Sequence, residues 1–141
     1  MFDFSKKKTS KQRTGSLGED LAVEFLEKKG YKILERNWRS GRYEIDIIAE
    51  KRDCVSFIEV KTTSSDSAES FKLPCEAVDK KKRENIISAA RAYATLRKKT
   101  IFDLTEDYRF DIIEVYLNRE KPEINYLENA FYVEKGNKYN G

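Results

Sequence analysis

The chain has 141 residues, with 28 lysines and arginines against 25 acidic residues, a net charge of +3 and no histidine. This length predicts a single domain with its own core, and the lack of histidine excludes Ser-His-Asp and Cys-His catalysis and His-ligated zinc. Any enzyme chemistry must therefore use carboxylates, lysine, tyrosine, hydroxyls or thiols, and carboxylates without histidine favour Mg²⁺ or Mn²⁺.

The N-terminal residues 1–13 are polar and basic, and we predict that they form a flexible arm ahead of one domain over residues 14–141. The arm lacks the apolar core of a signal peptide. No segment of the chain approaches the roughly 20 apolar residues that span a bilayer. We therefore expect a cytoplasmic protein without membrane contact.

The first helix is predicted to begin between Thr14 and Ser16 and to end at Gly30, which suits the C′ position. Its apolar stripe is predicted from residues at helical spacing, namely Leu17, Leu21 and Phe25, widened by Ala22 and Leu26.

Three strands are then predicted, over residues 31–38, 44–51 and 54–62, followed by a polar loop over 64–74. A second helix is predicted over 79–98, and two more strands lie in "YRFDIIEVYL" and "EINYL". The order α-β-β-β-α-β-β predicts an α/β fold with a mixed sheet flanked by helices. The predicted apolar stripe of the second helix is Ile86, Ala89, Ala90, Tyr93 and Ala94.

Ionisable residues interrupt the apolar hairpin "YEIDIIAEKRDCVSFIEVKTT". With the turn centred between Arg52 and Asp53, the register places Asp46 opposite Glu59 and Glu44 opposite Lys61, all on one face. Like charges directly opposite each other destabilise a sheet unless something positive lies between them.

Two carboxylates at this spacing can bridge one Mg²⁺, and a lysine on the same face can orient water or offset charge on a phosphate. The pattern therefore predicts metal-dependent phosphodiester hydrolysis by Asp46, Glu59 and Lys61. The alternative is that these residues form the solvent face of an edge hairpin, with Glu44 and Lys61 as an ordinary cross-strand ion pair.

The wider pattern is carried by "GSLGEDLAVEFLEKKGYKILERNWRSGRYEIDIIAE", "FIEVKTT", "AVDKKK", "RFDIIEV" and "NAF", in that order. It resembles the uncharacterised YraN-like family of bacterial proteins over about residues 15–133. That family looks like a branch of the restriction-endonuclease-like, or PD-(D/E)xK, nucleases and is similar to archaeal-type Holliday junction resolvases.

The resemblance implies a restriction-endonuclease-like core of order α-β-β-β-α-β. It implies that Asp46, Glu59 and the Val60 carbonyl ligate Mg²⁺ or Mn²⁺, with Lys61 as a catalytic residue. It maps the family's "GE" onto Glu19, which either supports the metal site or complements the helix dipole. Two departures stand out, since Tyr43 replaces the usual glycine before "EID" and Thr63 replaces the arginine of "EVKTR".

Two functions are compatible with these features: a DNA endonuclease, structure-selective for junctions or branches, and a catalytically inactive nucleic-acid-binding protein of the same fold. A third interpretation is a scaffold that meets another protein through its acidic C-terminal region. The resemblance also implies homodimerisation, since resolvases pair two sites on a four-way junction. Basic residues expected to track DNA phosphates are Arg36, Arg39, Lys80, Lys82 and Arg83.

Overall fold

The computed structural model describes residues 10–64, 79–97 and 107–133. Most of the predicted arm and of the predicted polar loop lies outside these residues. The predicted element order is confirmed. The helices and strands are α1 (Ser10–Lys28), β1 (Lys32–Ser40), β2 (Tyr43–Lys51), β3 (Cys54–Thr63), α2 (Lys80–Arg97), β4 (Asp107–Tyr116) and β5 (Glu123–Phe131).

The five strands of the described ranges form one sheet, in the spatial order β1-β2-β3-β4-β5. The pairs β1–β2, β2–β3 and β4–β5 are antiparallel, whereas β3 and β4 are parallel. A parallel pair needs a long crossover, and α2 lies within that connection. The predicted mixed α/β architecture is therefore confirmed.

Among the described residues, one helix packs against each face of the sheet. On one face, Ile86 and Tyr93 of α2 pack with Ile48, Phe57 and Ile112. The opposite core joins α1 to other side chains of the same strands, namely Ala22 and Leu26 with Ile47, Ile58, Ile113 and Val115. The interior strand β4 is thus buried on both faces, as its apolar sequence predicts.

The first helix differs from its prediction in start and orientation. It begins at Ser10, so the last residues of the predicted arm are helical. Its buried line runs through Ala22 and Leu26, while Leu17 is 49% exposed. This rotation follows from Gly18, because a Cβ atom built there would lie only 1.9 Å from Thr62 Oγ1 on β3. The missing side chain lets α1 approach the sheet closely.

The end of α1 matches the prediction of Gly30 as the C′ residue. Gly30 has a φ of +92°, its N–H donates to the Glu27 carbonyl, and the Tyr31 N–H donates to the Leu26 carbonyl. This pair of bonds is a Schellman motif. Neither helix in the described ranges has the length and apolar character needed to cross a bilayer.

Candidate functional site

The two predicted metal-binding carboxylates lie where β2 and β3 separate. The Cα pairing follows the predicted register from Lys51↔Cys54 to Ile47↔Ile58. The next pair would be Asp46 and Glu59, but there the Val60 N–H donates to Asp46 Oδ2 at 2.8 Å. A side-chain oxygen is thus the acceptor for a backbone N–H of β3, and both carboxyl groups line one cleft.

That cleft lies between the hairpin and the first turns of α2. Its volume is about 500 Å³. Asp46, Glu59 and Glu44 contribute acidic groups, and Arg42, Lys81 and Lys82 contribute positive charge.

Asp46 is the most strongly perturbed carboxyl group of the cleft. Burial raises its pKa, the Glu59 charge raises it further, and the Val60 N–H bond opposes both, with a result of about 8. The side chains of Asp46 and Glu59 also share a hydrogen bond, so the two groups are in contact. At neutral pH and without a cation, Asp46 is therefore largely protonated.

Glu59 is only 6% exposed and lies against two lysines. Lys82 Nζ, from α2, is 2.5 Å from Glu59 Oε1, and Lys61 Nζ is 3.5 Å from the same oxygen. Burial lowers the pKa of Lys61, an effect that Glu59 only partly offsets and that Lys82 reinforces. The predicted Asp46–Glu59–Lys61 group is therefore brought together, with Lys82 added.

The other predicted pair, Glu44 with Lys61, is not formed among the described residues. Glu44 lies opposite Arg39 on β1, and its carboxylate is 2.9 Å from that guanidinium. The prediction was wrong because the β2–β3 register does not continue past Ile47 and Ile58.

Glu19, on α1, does not line the cleft but interacts electrostatically with Glu44 and Asp46. Burial raises its pKa, while a hydrogen bond to Asn37 and the charge of Arg36 lower it. Glu19 also raises the pKa of Asp46 electrostatically. Asn37 has a φ of +50°, so β1 is irregular at this point. Glu19 thus acts on the site through its charge.

A divalent cation fits the donor set, although the carboxylates form a pair and not a larger cluster. Among the described residues, no three acidic, cysteine or histidine side chains converge on one point. Mg²⁺ commonly takes one or two carboxylates and completes its shell with water and substrate phosphate. A cation here would also relieve the repulsion that raises the pKa of Asp46.

Comparison with known proteins settles the family. The model of the uncharacterised protein family UPF0102 matches residues 18–115. The chain belongs to the UPF0102 family. The UPF0102 protein of Caldanaerobacter subterraneus is 44% identical over 128 residues, which cover 89% of this chain and 99% of the relative. The UPF0102 protein of Flavobacterium johnsoniae is 46% identical over 120 residues, or 84% and 93% of the two chains.

The five basic residues predicted to contact DNA fall into two groups in this UPF0102 chain. Three are ion-paired within the protein: Arg36 with Asp20, Arg39 with Glu44, and Lys82 with Glu59. The other two, Lys80 and Arg83, line a second groove of about 640 Å³ together with Arg91 and Tyr132.

A second buried carboxylate, Asp111, was assigned no role from the sequence. It is 0% exposed and accepts hydrogen bonds from Arg109 Nε at 2.9 Å, the Asn129 N–H at 2.8 Å and the Tyr126 hydroxyl. Arg109 also donates to the Tyr31 hydroxyl. A lone Asp between Phe110 and Ile112 was the signal in the sequence, and the satisfied network indicates a structural role in the UPF0102 fold.

Proposed function

We propose that this protein is a divalent-metal-dependent endonuclease that hydrolyses phosphodiester bonds of DNA, with selectivity for junctions or branched structures. The observation that carries the proposal is that half-buried Asp46 and buried Glu59 line one cleft, where burial and then the Glu59 charge raise the pKa of Asp46 to about 8. The element order α-β-β-β-α-β agrees with a restriction-endonuclease-like core.

Each residue of the cleft has a role in this proposal. Asp46 and Glu59 would hold Mg²⁺ or Mn²⁺, with the Val60 carbonyl as a further ligand. The bound cation would supply positive charge to the phosphate and a water molecule of lowered pKa. Lys61, 3.5 Å from Glu59, would donate a hydrogen bond to the phosphate or to the attacking water. Glu19 would tune the site by its charge.

The second groove supports nucleic acid as the substrate. Lys80, Arg83 and Arg91 line it with one acidic residue, Glu84. Within the part of the chain that the structure describes, these three cations have no ion-pair partner. Tyr132 is 73% exposed at the same groove. Free cations beside an exposed aromatic ring suit phosphates and bases.

The test is cleavage of junction, flap and linear DNA in Mg²⁺ or Mn²⁺. We compare the wild type with Asp46→Asn and with a matched control, Asp53→Asn, an exposed residue in the turn of the same hairpin. We expect cleavage by the wild type and the control, and a loss of at least about a hundredfold for Asp46→Asn. Equal cleavage by all three proteins would show that a contaminant is responsible.

The second candidate is a catalytically inactive nucleic-acid-binding protein of the same fold. It is favoured by the second groove, whose cations do not depend on the carboxylates of the cleft. Calorimetry with Mn²⁺ separates the two candidates, because DNA affinity without Mn²⁺ binding would support the inactive protein. A homodimer, which would pair two clefts on one junction, belongs to the first proposal and is tested by sedimentation with and without junction DNA.

A further inference from the structure

The first turn of α2 directs a lysine onto the buried carboxylate of the cleft. The Lys82 N–H donates to Asp79 Oδ1 at 2.8 Å, which caps the start of the helix. This cap fixes the first turn, and Lys82 Nζ lies 2.5 Å from Glu59 Oε1. Lys61 is farther from the same oxygen, at 3.5 Å.

The distances of 2.5 Å for Lys82 and 3.5 Å for Lys61 show that Lys82 is the nearer partner of Glu59. Burial alone would lower the pKa of Lys82, but the Glu59 carboxylate raises it above the ordinary value. The pKa of Lys61 is lowered, partly because Lys82 lies beside it. With its ammonium group 2.5 Å from Glu59 Oε1, the α2 lysine supplies the positive charge that a carboxylate 6% exposed requires.

A divalent cation would need the same carboxylate oxygens. Cation–oxygen distances for Mg²⁺ are about 2.0–2.1 Å, so an ammonium group 2.5 Å from Glu59 Oε1 obstructs such a ligand. Repulsion between the two positive charges adds to the conflict. A displaced Lys82 side chain can extend into solvent, because it lines the cleft and is 44% exposed.

We propose that the Lys82 ammonium is an internal counter-ion of Glu59 that a divalent cation must displace, and that the displaced side chain then binds a DNA phosphate. This inference rests on the proposed function, since it takes Asp46 and Glu59 as metal ligands. A phosphate that holds Lys82 away from Glu59 favours the metal-bound state, so DNA raises metal affinity and metal raises DNA affinity by the same factor. The protein thereby binds metal tightly only when DNA is present.

The test uses Lys82→Met, which keeps most of the aliphatic stem and removes the charge. Lys81→Met is the matched control, because Lys81 is an exposed neighbour that lines the same cleft. Mn²⁺ affinity is measured by calorimetry without DNA. We expect Lys82→Met to bind Mn²⁺ at least about tenfold more tightly than the wild type, and Lys81→Met to stay within about threefold. If Lys82→Met does not fold, Lys82→Gln carries the same expectation.

A second readout is free Mn²⁺, followed by electron paramagnetic resonance with and without a short DNA duplex. DNA should lower the free Mn²⁺ signal of the wild type several-fold more than that of Lys82→Met. If Lys82→Met binds Mn²⁺ no more tightly than the wild type while Asp46→Asn abolishes binding, Lys82 is not a counter-ion that the metal displaces. The metal site at Asp46 and Glu59 would still be supported. Absence of Mn²⁺ binding in every variant would overturn both proposals.

Discussion

The close approach of α1 to β3 at Gly18 makes the first helix sensitive to a single methyl group. An added Cβ would lie 1.9 Å from Thr62 Oγ1, 2.9 Å from Thr62 Cβ and 3.0 Å from Thr62 Cγ2. Rotation of Thr62 moves Oγ1 and Cγ2 but not Cβ, so α1 must still lift by roughly 0.6 Å to bring the Cβ–Cβ distance to ordinary contact. Overpacking of this kind costs about 1–3 kcal/mol. Because Glu19 follows Gly18, the same shift moves its charge relative to Asp46.

The measurement is urea unfolding of Gly18→Ala beside Gly15→Ala. Among the described residues, an added Cβ at Gly15 meets no atom within 4 Å beyond its chain neighbours and its own helix backbone, so Gly15→Ala should stabilise the helix by up to about 1 kcal/mol. Gly18→Ala should destabilise the protein by about 2 kcal/mol. Thr62→Ala in the Gly18→Ala background removes the two nearest movable atoms and should recover at least about half of the loss. If Gly18→Ala proves as stable as Gly15→Ala, the packing of α1 on Thr62 described above is incorrect.

Three further outcomes are expected. The pKa of Asp46, raised to about 8, means that stability falls between about pH 4 and pH 8, because the unfolded chain releases a proton that the folded protein keeps. Asp46→Asn imitates the protonated form of the side chain. In urea unfolding with EDTA, its free energy of unfolding should equal that of the wild type near pH 4 and exceed it by about 2–5 kcal/mol near pH 9. A difference that does not change with pH would contradict this expectation. Asp111→Asn should cost about 3–5 kcal/mol, since it leaves Arg109 only the more distant, exposed carboxylate of Glu128. A loss no larger than that of the exposed Asp107→Asn would refute the role of the network. Arg83→Ala with Arg91→Ala should weaken DNA binding about tenfold and reduce the salt slope by about two in fluorescence anisotropy, whereas an unchanged slope would exclude the groove as a phosphate contact.

Local signals in the sequence predict most of the fold correctly. The turn at Arg52 and Asp53 and the pairing Lys51↔Cys54 follow from alternation in the hairpin. The C′ position of Gly30 and the buried stripe of α2 follow from the conformational freedom of glycine and from helical periodicity. These features depend on residues close together in the chain.

The orientation of α1 could not be predicted in the same way. Helical periodicity predicts that Leu17, a large apolar residue, is buried. The buried face of α1 is instead set by the point where the helix comes closest to the sheet, which is Gly18 against Thr62. Only the tertiary arrangement shows which residue faces the glycine. The exposed Leu17 is the consequence.

The candidate site was predicted in part, for a related reason. The hairpin register predicts that Asp46 and Glu59 lie close together. The backbone pairing itself ends one pair earlier, at Ile47 and Ile58, and the Val60 N–H donates to the Asp46 side chain instead. Lys82 reaches Glu59 from a helix that lies beyond a long connection, and no local pattern encodes that contact. Pairing of Arg36 and Arg39 with acidic neighbours likewise depends on which faces of α1 and β2 adjoin β1.

The spatial order of the strands, which follows their order in the chain, has a consequence for folding kinetics. The antiparallel β1–β2–β3 unit closes short loops and can form early, whereas the parallel β3–β4 pair requires the long connection that contains α2. Asp46 and Glu59 both lie in the early unit, and Lys82 lies in α2. Contact order therefore favours an approach of the two carboxyl groups before Lys82 reaches them, so that packing of α2 on the sheet also brings the positive charge that lies against Glu59.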